Sequence, residues 1–336
     1  MRIQKLLLVL VFALSIPAFA GRLRQVAIID IPGQPGFDAL AIANGSLIVA
    51  HSGADSVDIF DLAKRRIIAQ VKHVSGASGI AVDDKNERVF LSSPDSRRIV
   101  VISSSNWDVQ SVIPVQVEVE RILYVPGSNR LYMANSLDHS LGYIDLAHNN
   151  DIHTADAGGS PERLVFDSGK NLIYTTLQDK HAVAAFDAAL KPVSQWVLKA
   201  SQPTGLALDS QARRLYVAVR SAVVTLDADS GAELSRVGAP AGVDSLSYDR
   251  ESGTLVAGSG GAVSVFKVRS GGLTRVTELN VDVRGSSLAY DPTSKLIYLP
   301  GGREGRSKLL IMKPMDEDIP AVVEKDKHSR GAAEGQ

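Results

Sequence analysis

The chain has 336 residues, 45% of them hydrophobic, which is enough to build one sizeable core. It has no cysteine, and this excludes disulfides, thiolate zinc centres, iron–sulfur clusters and thioether-bound haem. With 36 Lys and Arg against 37 Asp and Glu, the charge balance gives no strong signal for a phosphate backbone.

Residues 1–20 read as a secretory signal peptide. Arg2 and Lys5 precede an apolar run over residues 6–15, and Ala18, Phe19 and Ala20 form a small-x-small cleavage site before Gly21. Cleavage removes two cations and no acid, so 34 cations against 37 acids leave a mature charge of −3. No later segment has the roughly 20 apolar residues of a membrane helix. A soluble monomer in the periplasm, or a secreted one, is expected.

Residues 24–31, RQVAIIDI, predict a lone strand, after which the chain repeats itself. Seven apolar strands start in FDALAI, ASGIAV, VERILY, PERLVF, PTGLAL, VDSLSY and GSSLAY. Their lead-in positions are Asp38, Ser78, Glu120, Glu162, Thr204, Asp244 and Ser286, spaced by 40 or 42 residues. Several short strands per unit of about 40 residues predict propeller blades. The expected fold is all-β, a seven-bladed β-propeller of four-stranded antiparallel blades.

The fifth unit shows the blade. Leu206 and Leu208 alternate with small Gly205 and Ala207, as an innermost strand near an axis requires. Asp209 then opens a polar turn, like Asp83, Asp167, Asp249 and Asp291 in other units. Tyr216, matched by Phe90, Tyr132, Tyr174 and Tyr298, is expected to pack one blade on the next. Asp61, Asp145, Asp187 and Asp227 close the third strands. The seventh unit runs out after three strands, so residues 24–31 are expected to complete it and close the ring. The propeller then spans residues 21–314, with a polar, disordered tail over residues 315–336.

Units such as PTGLALDSQARRLYVAVRSAVVTLDADSG and PERLVFDSGKNLIYTTLQDKHAVAAFD resemble the YVTN-type repeats of YncE-like propellers. The resemblance covers residues 21–314, although only the fifth unit keeps the full PTG opening. The wider group includes non-enzymatic binding proteins, haem-d1 and quinoprotein domains, and lactonases. The lead-in ring is also similar to that of gluconolactonase-type propellers, whose acidic and amide residues hold calcium or zinc. Here Ser78, Thr204 and Ser286 stand where amides would be expected.

Function is sought where loops converge, on the face shared by the lead-in segments and the loops between second and third strands. Asp38, Glu120, Glu162 and Asp244 are suited to a hard divalent cation such as calcium, and the resemblance adds zinc as the other candidate. Arg121 and Arg163 follow the two glutamates and offer salt bridges instead. His51, His139 and His181 fall in second-to-third strand loops, and with Arg121, Arg163, Arg220 and Arg303 they define a ligand-binding face. Gly301 and Gly302, like Gly258, Gly260 and Gly261, read as turn glycines. The favoured reading is an exported, non-catalytic propeller needing no cofactor, which offers its channel mouth to a protein, an envelope component or a small ligand. The alternative is a metal-dependent lactonase-like hydrolase, with the four carboxylates as ligands and His139 or His181 as proton donor.

Overall fold

The computed structural model describes residues 23–269 and 272–315. The signal-peptide segment, and all of the expected tail except Met315, lie outside the described residues. The strands form seven four-stranded antiparallel sheets, the blades of a propeller. Blade five illustrates the order from axis to rim: Leu206–Asp209, Arg214–Val219, Ala222–Asp227 and Glu233–Gly238.

Burial explains the sequence pattern. A second or third strand is covered by neighbouring blades on both faces, so Arg214–Val219 is buried at every position after the first. The rim strand Glu233–Gly238 instead alternates between exposed and half-buried. Phe90, Tyr132, Tyr174, Tyr216 and Tyr298 are at most 1% exposed, as their size and spacing predict. Two also latch onto the following blade. Tyr132 donates its hydroxyl proton to the Ala188 carbonyl at 2.8 Å and Tyr174 donates to Ala228 at 3.0 Å.

The turn aspartates act locally. Asp83, Asp167, Asp209, Asp249 and Asp291 each accept a backbone N–H two or three residues on. Asp61, Asp145, Asp187 and Asp227 do the same. Burial tends to raise the Asp83 carboxyl, but hydrogen bonds from Asn86 and Arg88 outweigh it and hold the pKa low. Bonds from His148 to Asp145 and from Ser230 to Asp227 lower those groups too. A carboxylate with a depressed folded pKa stabilises above its unfolded value and loses that contribution as pH falls through the folded one. The melting temperature is therefore expected to hold from pH 7 to 5 and to fall below about pH 4. A melting temperature at pH 3 equal to that at pH 7 would overturn this.

Blade seven takes three strands from the end of the chain, Ala289–Asp291, Leu296–Arg303 and Arg306–Pro314. Its rim strand is Leu23–Asp30, which runs antiparallel to the third, with Leu23 opposite Pro314 and Asp30 opposite Lys308. The ring is thus closed by strands from both ends of the chain, as the missing fourth strand implies. Lead-in segments meet second-to-third strand turns on one face: Gly53 donates to the Gly36 carbonyl, Gln178 to Ser160 and Arg220 to Ser201. This is the mouth face.

Candidate functional site

The lead-in residues occupy equivalent places. The backbone N–H groups of Asp38, Ser78, Glu120 and Thr204 donate to Ala50, Ser92, Ala134 and Ala218 of their own second strands, at 3.0 to 3.3 Å. Their side chains stitch neighbouring blades. Arg121 of blade three donates to the Ser78 hydroxyl at 2.9 Å and reaches Glu162 of blade four at 3.7 Å. Thr204 donates to the Val243 carbonyl at 3.0 Å, and Ser286 donates to Asp244 at 2.9 Å. Ser287 donates across the closure to the Asp38 carbonyl. The hydroxyl residues that break the acidic pattern are therefore cross-blade partners.

The four carboxylates have separate surroundings. Glu120 turns outward to accept from the Ser136 hydroxyl. Burial pushes the Glu162 carboxyl up; Arg121 opposes this, and the charges of Glu120 and Asp244 add to it. Arg163 differs from Arg121. Among the described residues it makes no close ion pair. Its side chain nevertheless lines a throat of about 230 Å³ together with Asp38, Ser245 and Ser287 of blades one, six and seven. Burial, with Arg121 nearby, brings its pKa down to about 10 against the pull of Asp244, Glu162 and Asp38. Among the described residues, no three His, Cys, Asp or Glu side chains are grouped to hold a metal ion.

The histidines divide. His51 is not in a loop on the mouth face: it ends the strand Ser46–His51 and is fully buried. Its Nδ1 meets Asp58 Oδ2 at 2.7 Å, its Nε2 donates to the Gln34 carbonyl at 2.7 Å, and Phe37 stacks on the ring at 4.3 Å. Gln70 donates to the other Asp58 oxygen at 2.7 Å. His51 is buried because the segment linking the closing strand to blade one, with Gln34 and Phe37, folds over it. His139 and His181 are exposed in turns, both with left-handed backbones, at φ 53° and 50°. Asp55 and Arg97 occupy the matching turns with φ 49° and 47°, so this place selects residues that tolerate that conformation. His139 meets the Ser160 hydroxyl at 3.1 Å, and Gln202 N–H donates to His181 Nδ1 at 3.4 Å. Arg220 is exposed on this face, while Arg303 pairs with Asp282 at 2.9 Å.

A further feature lies beside the ring. Where blades six, seven and one meet, a cleft of about 740 Å³ opens on the mouth face, walled by Pro35, Phe37, Asp282, Arg284 and Arg303. Its floor is backbone brought close. Arg284 and Gly302 exchange N–H to carbonyl bonds at 2.8 and 2.9 Å. A Cβ on Gly285 would strike the Pro300 carbonyl, and one on Gly301 would strike that of Arg284. Gly301 and Gly302 are thus not turn glycines but part of the strand Leu296–Arg303, where two backbones touch. Gly258 likewise lies in Thr254–Ser259. The available signal was the seventh lead-in, VDVRGSS, which carries Gly-Ser-Ser where the fifth unit has Pro-Thr-Gly, with Arg284 just before it. Among the described residues the Arg284 side chain has no ion-pair partner, which leaves one exposed guanidinium on the cleft wall.

No protein-family model matches the chain, and neither does any curated protein. Among solved structures it is similar to a chain in the crystal structure of the mitotic checkpoint complex, at 14% identity with a TM-score of 0.74. The match covers 94% of this chain and 99% of that one. At such identity the likeness is one of fold, and the YncE-like resemblance stands on the repeat motifs alone.

Proposed function

We propose that this is an exported, non-catalytic binding propeller of the YncE-like kind, working in the periplasm or outside the cell as a monomer. Its mouth face receives a protein, an envelope component or a small ligand. The observation that supports this reading is the cleft between blades six, seven and one, whose volume lies in the range of ligand sites. Its walls combine the apolar Pro35 and Phe37 with the charged Arg284, Arg303 and Asp282. Gly285 and Gly301 let backbone form the floor without side chains in the way. Propellers commonly use this kind of surface for binding, and a fold alone fixes no chemistry.

The test compares faces. A photo-crosslinking amino acid replaces Arg284 on the mouth face or exposed Lys85 in the turn after Ile80–Asp83 on the opposite face. Irradiation in living cells is expected to give discrete adducts from position 284 and at least about tenfold fewer from 85. Equal labelling, or adducts from position 85 alone, would refute the assignment of the binding face.

A further inference from the structure

We infer that Arg163 is the resident cation of the channel mouth, a guanidinium of the chain's own standing where the lactonase-type resemblance would place a divalent metal. This concerns the axial ring and is independent of the cleft. Arg163 belongs to blade four, on the strand Pro161–Asp167, yet its side chain lines the throat with residues of blades one, six and seven. It therefore extends across the axis rather than along its own blade. The carboxylates whose charges bear on it, Asp244, Glu162 and Asp38, are three of the four that a metal would need.

The remaining contacts agree. The fourth acid, Glu120, is turned to Ser136; Asp244 already accepts from Ser286, and Glu162 faces Arg121. A divalent ion entering this ring would meet two guanidinium groups, Arg121 and Arg163, with only part of the carboxylate set free to ligate it. Like charge in this half-buried site opposes that entry. An arginine also keeps its charge across the physiological range, so this cation cannot be chelated away or exchanged. The donor set does not fit a metal-dependent hydrolase while Arg163 is in place.

The experiment uses the full mature protein and reads melting temperature with calcium, zinc or manganese at millimolar concentration, against a chelator control. The unaltered protein is expected to show no saturable rise. Arg163→Ser removes the cation whose charge Asp38, Glu162 and Asp244 share, and it is expected to gain a calcium-dependent rise of at least about 3 °C. Adding Glu162→Gln and Asp244→Asn should erase that gain. Arg163→Lys keeps the charge and should remain insensitive to metal, which covers the case in which the serine variant does not fold. A metal-dependent rise in the unaltered protein or in Arg163→Lys would overturn the inference. So would a folded Arg163→Ser that binds no metal.

Discussion

A chain lacking Leu23–Asp30 is expected to aggregate instead of folding. That strand supplies the whole rim of blade seven, with Leu23 to Asp30 paired against Pro314 to Lys308. Without it, Arg306–Pro314 becomes an unpaired edge nine residues long. The deletion also removes Leu23, Val26, Ile28 and Ile29 from the two apolar clusters flanking blade seven. Leu23 is buried and the other three are half-buried, so at about 1.5–3 kcal/mol for each large apolar side chain fully withdrawn from water the loss is a large fraction of the stability of a typical domain. Size-exclusion chromatography and a thermal melt decide the matter. A monomeric product melting where the intact protein does would show that the ring closes without the strand. A permuted chain carrying residues 23–31 after Pro314 through a short linker should restore the melt, since the pairing depends on the strand and not on its place in the sequence.

Replacing either partner of the His51–Asp58 pair should cost about 3–5 kcal/mol, the usual penalty for stranding one member of a buried pair. The side chains are 0% and 2% exposed. Every polar atom of the imidazole is engaged, and Gln70 holds the second Asp58 oxygen. Urea unfolding of His51→Ala, Asp58→Ala and the double variant checks this. The double variant should lose less than the sum of the singles, because one deletion already forfeits the interaction. Single-variant losses under about 1 kcal/mol would show that the pair is solvated and dispensable. Phe37 stacks on His51 and walls the cleft, so the same variants should loosen the binding face even where they still fold.

The parts of the fold that repeat were legible in the sequence. A spacing of 40 or 42 residues imposes one blade per unit, and a seventh unit one strand short points to a strand from elsewhere in the chain. Tyr174 and Tyr216 were placed correctly because residues in such rows meet the same neighbour in every blade. The parts that do not repeat were harder to read. His51 looked like a loop residue because its partners come from the linker, 17 residues earlier at Gln34, and from Asp58 on the next strand. One signal was present: Asp58 interrupts a third strand at a place where blades two, four and five carry Val100, Ala184 and Val224. His139 and His181 suggested chemistry where backbone conformation already accounts for the position. The path of Arg163 across the axis depends on side-chain torsions, which no spacing rule predicts.

The pairing of Leu23 with Pro314 also sets an order of events during synthesis. The strand Leu23–Asp30 must wait, unpartnered, until nearly the last residue of the propeller has been made. Domains that fold as they leave the ribosome build from the N-terminus onward. Here blades one to six can form in that sequence, but the circle stays open until the final hairpin arrives. Bringing ends so distant together is entropically slow. The nascent molecule thus carries a waiting apolar strand through most of its manufacture, a period when a holding chaperone has a defined segment to grip. Completion of the circle is also a checkpoint, because a chain truncated anywhere before its last hairpin has nothing to receive its own beginning.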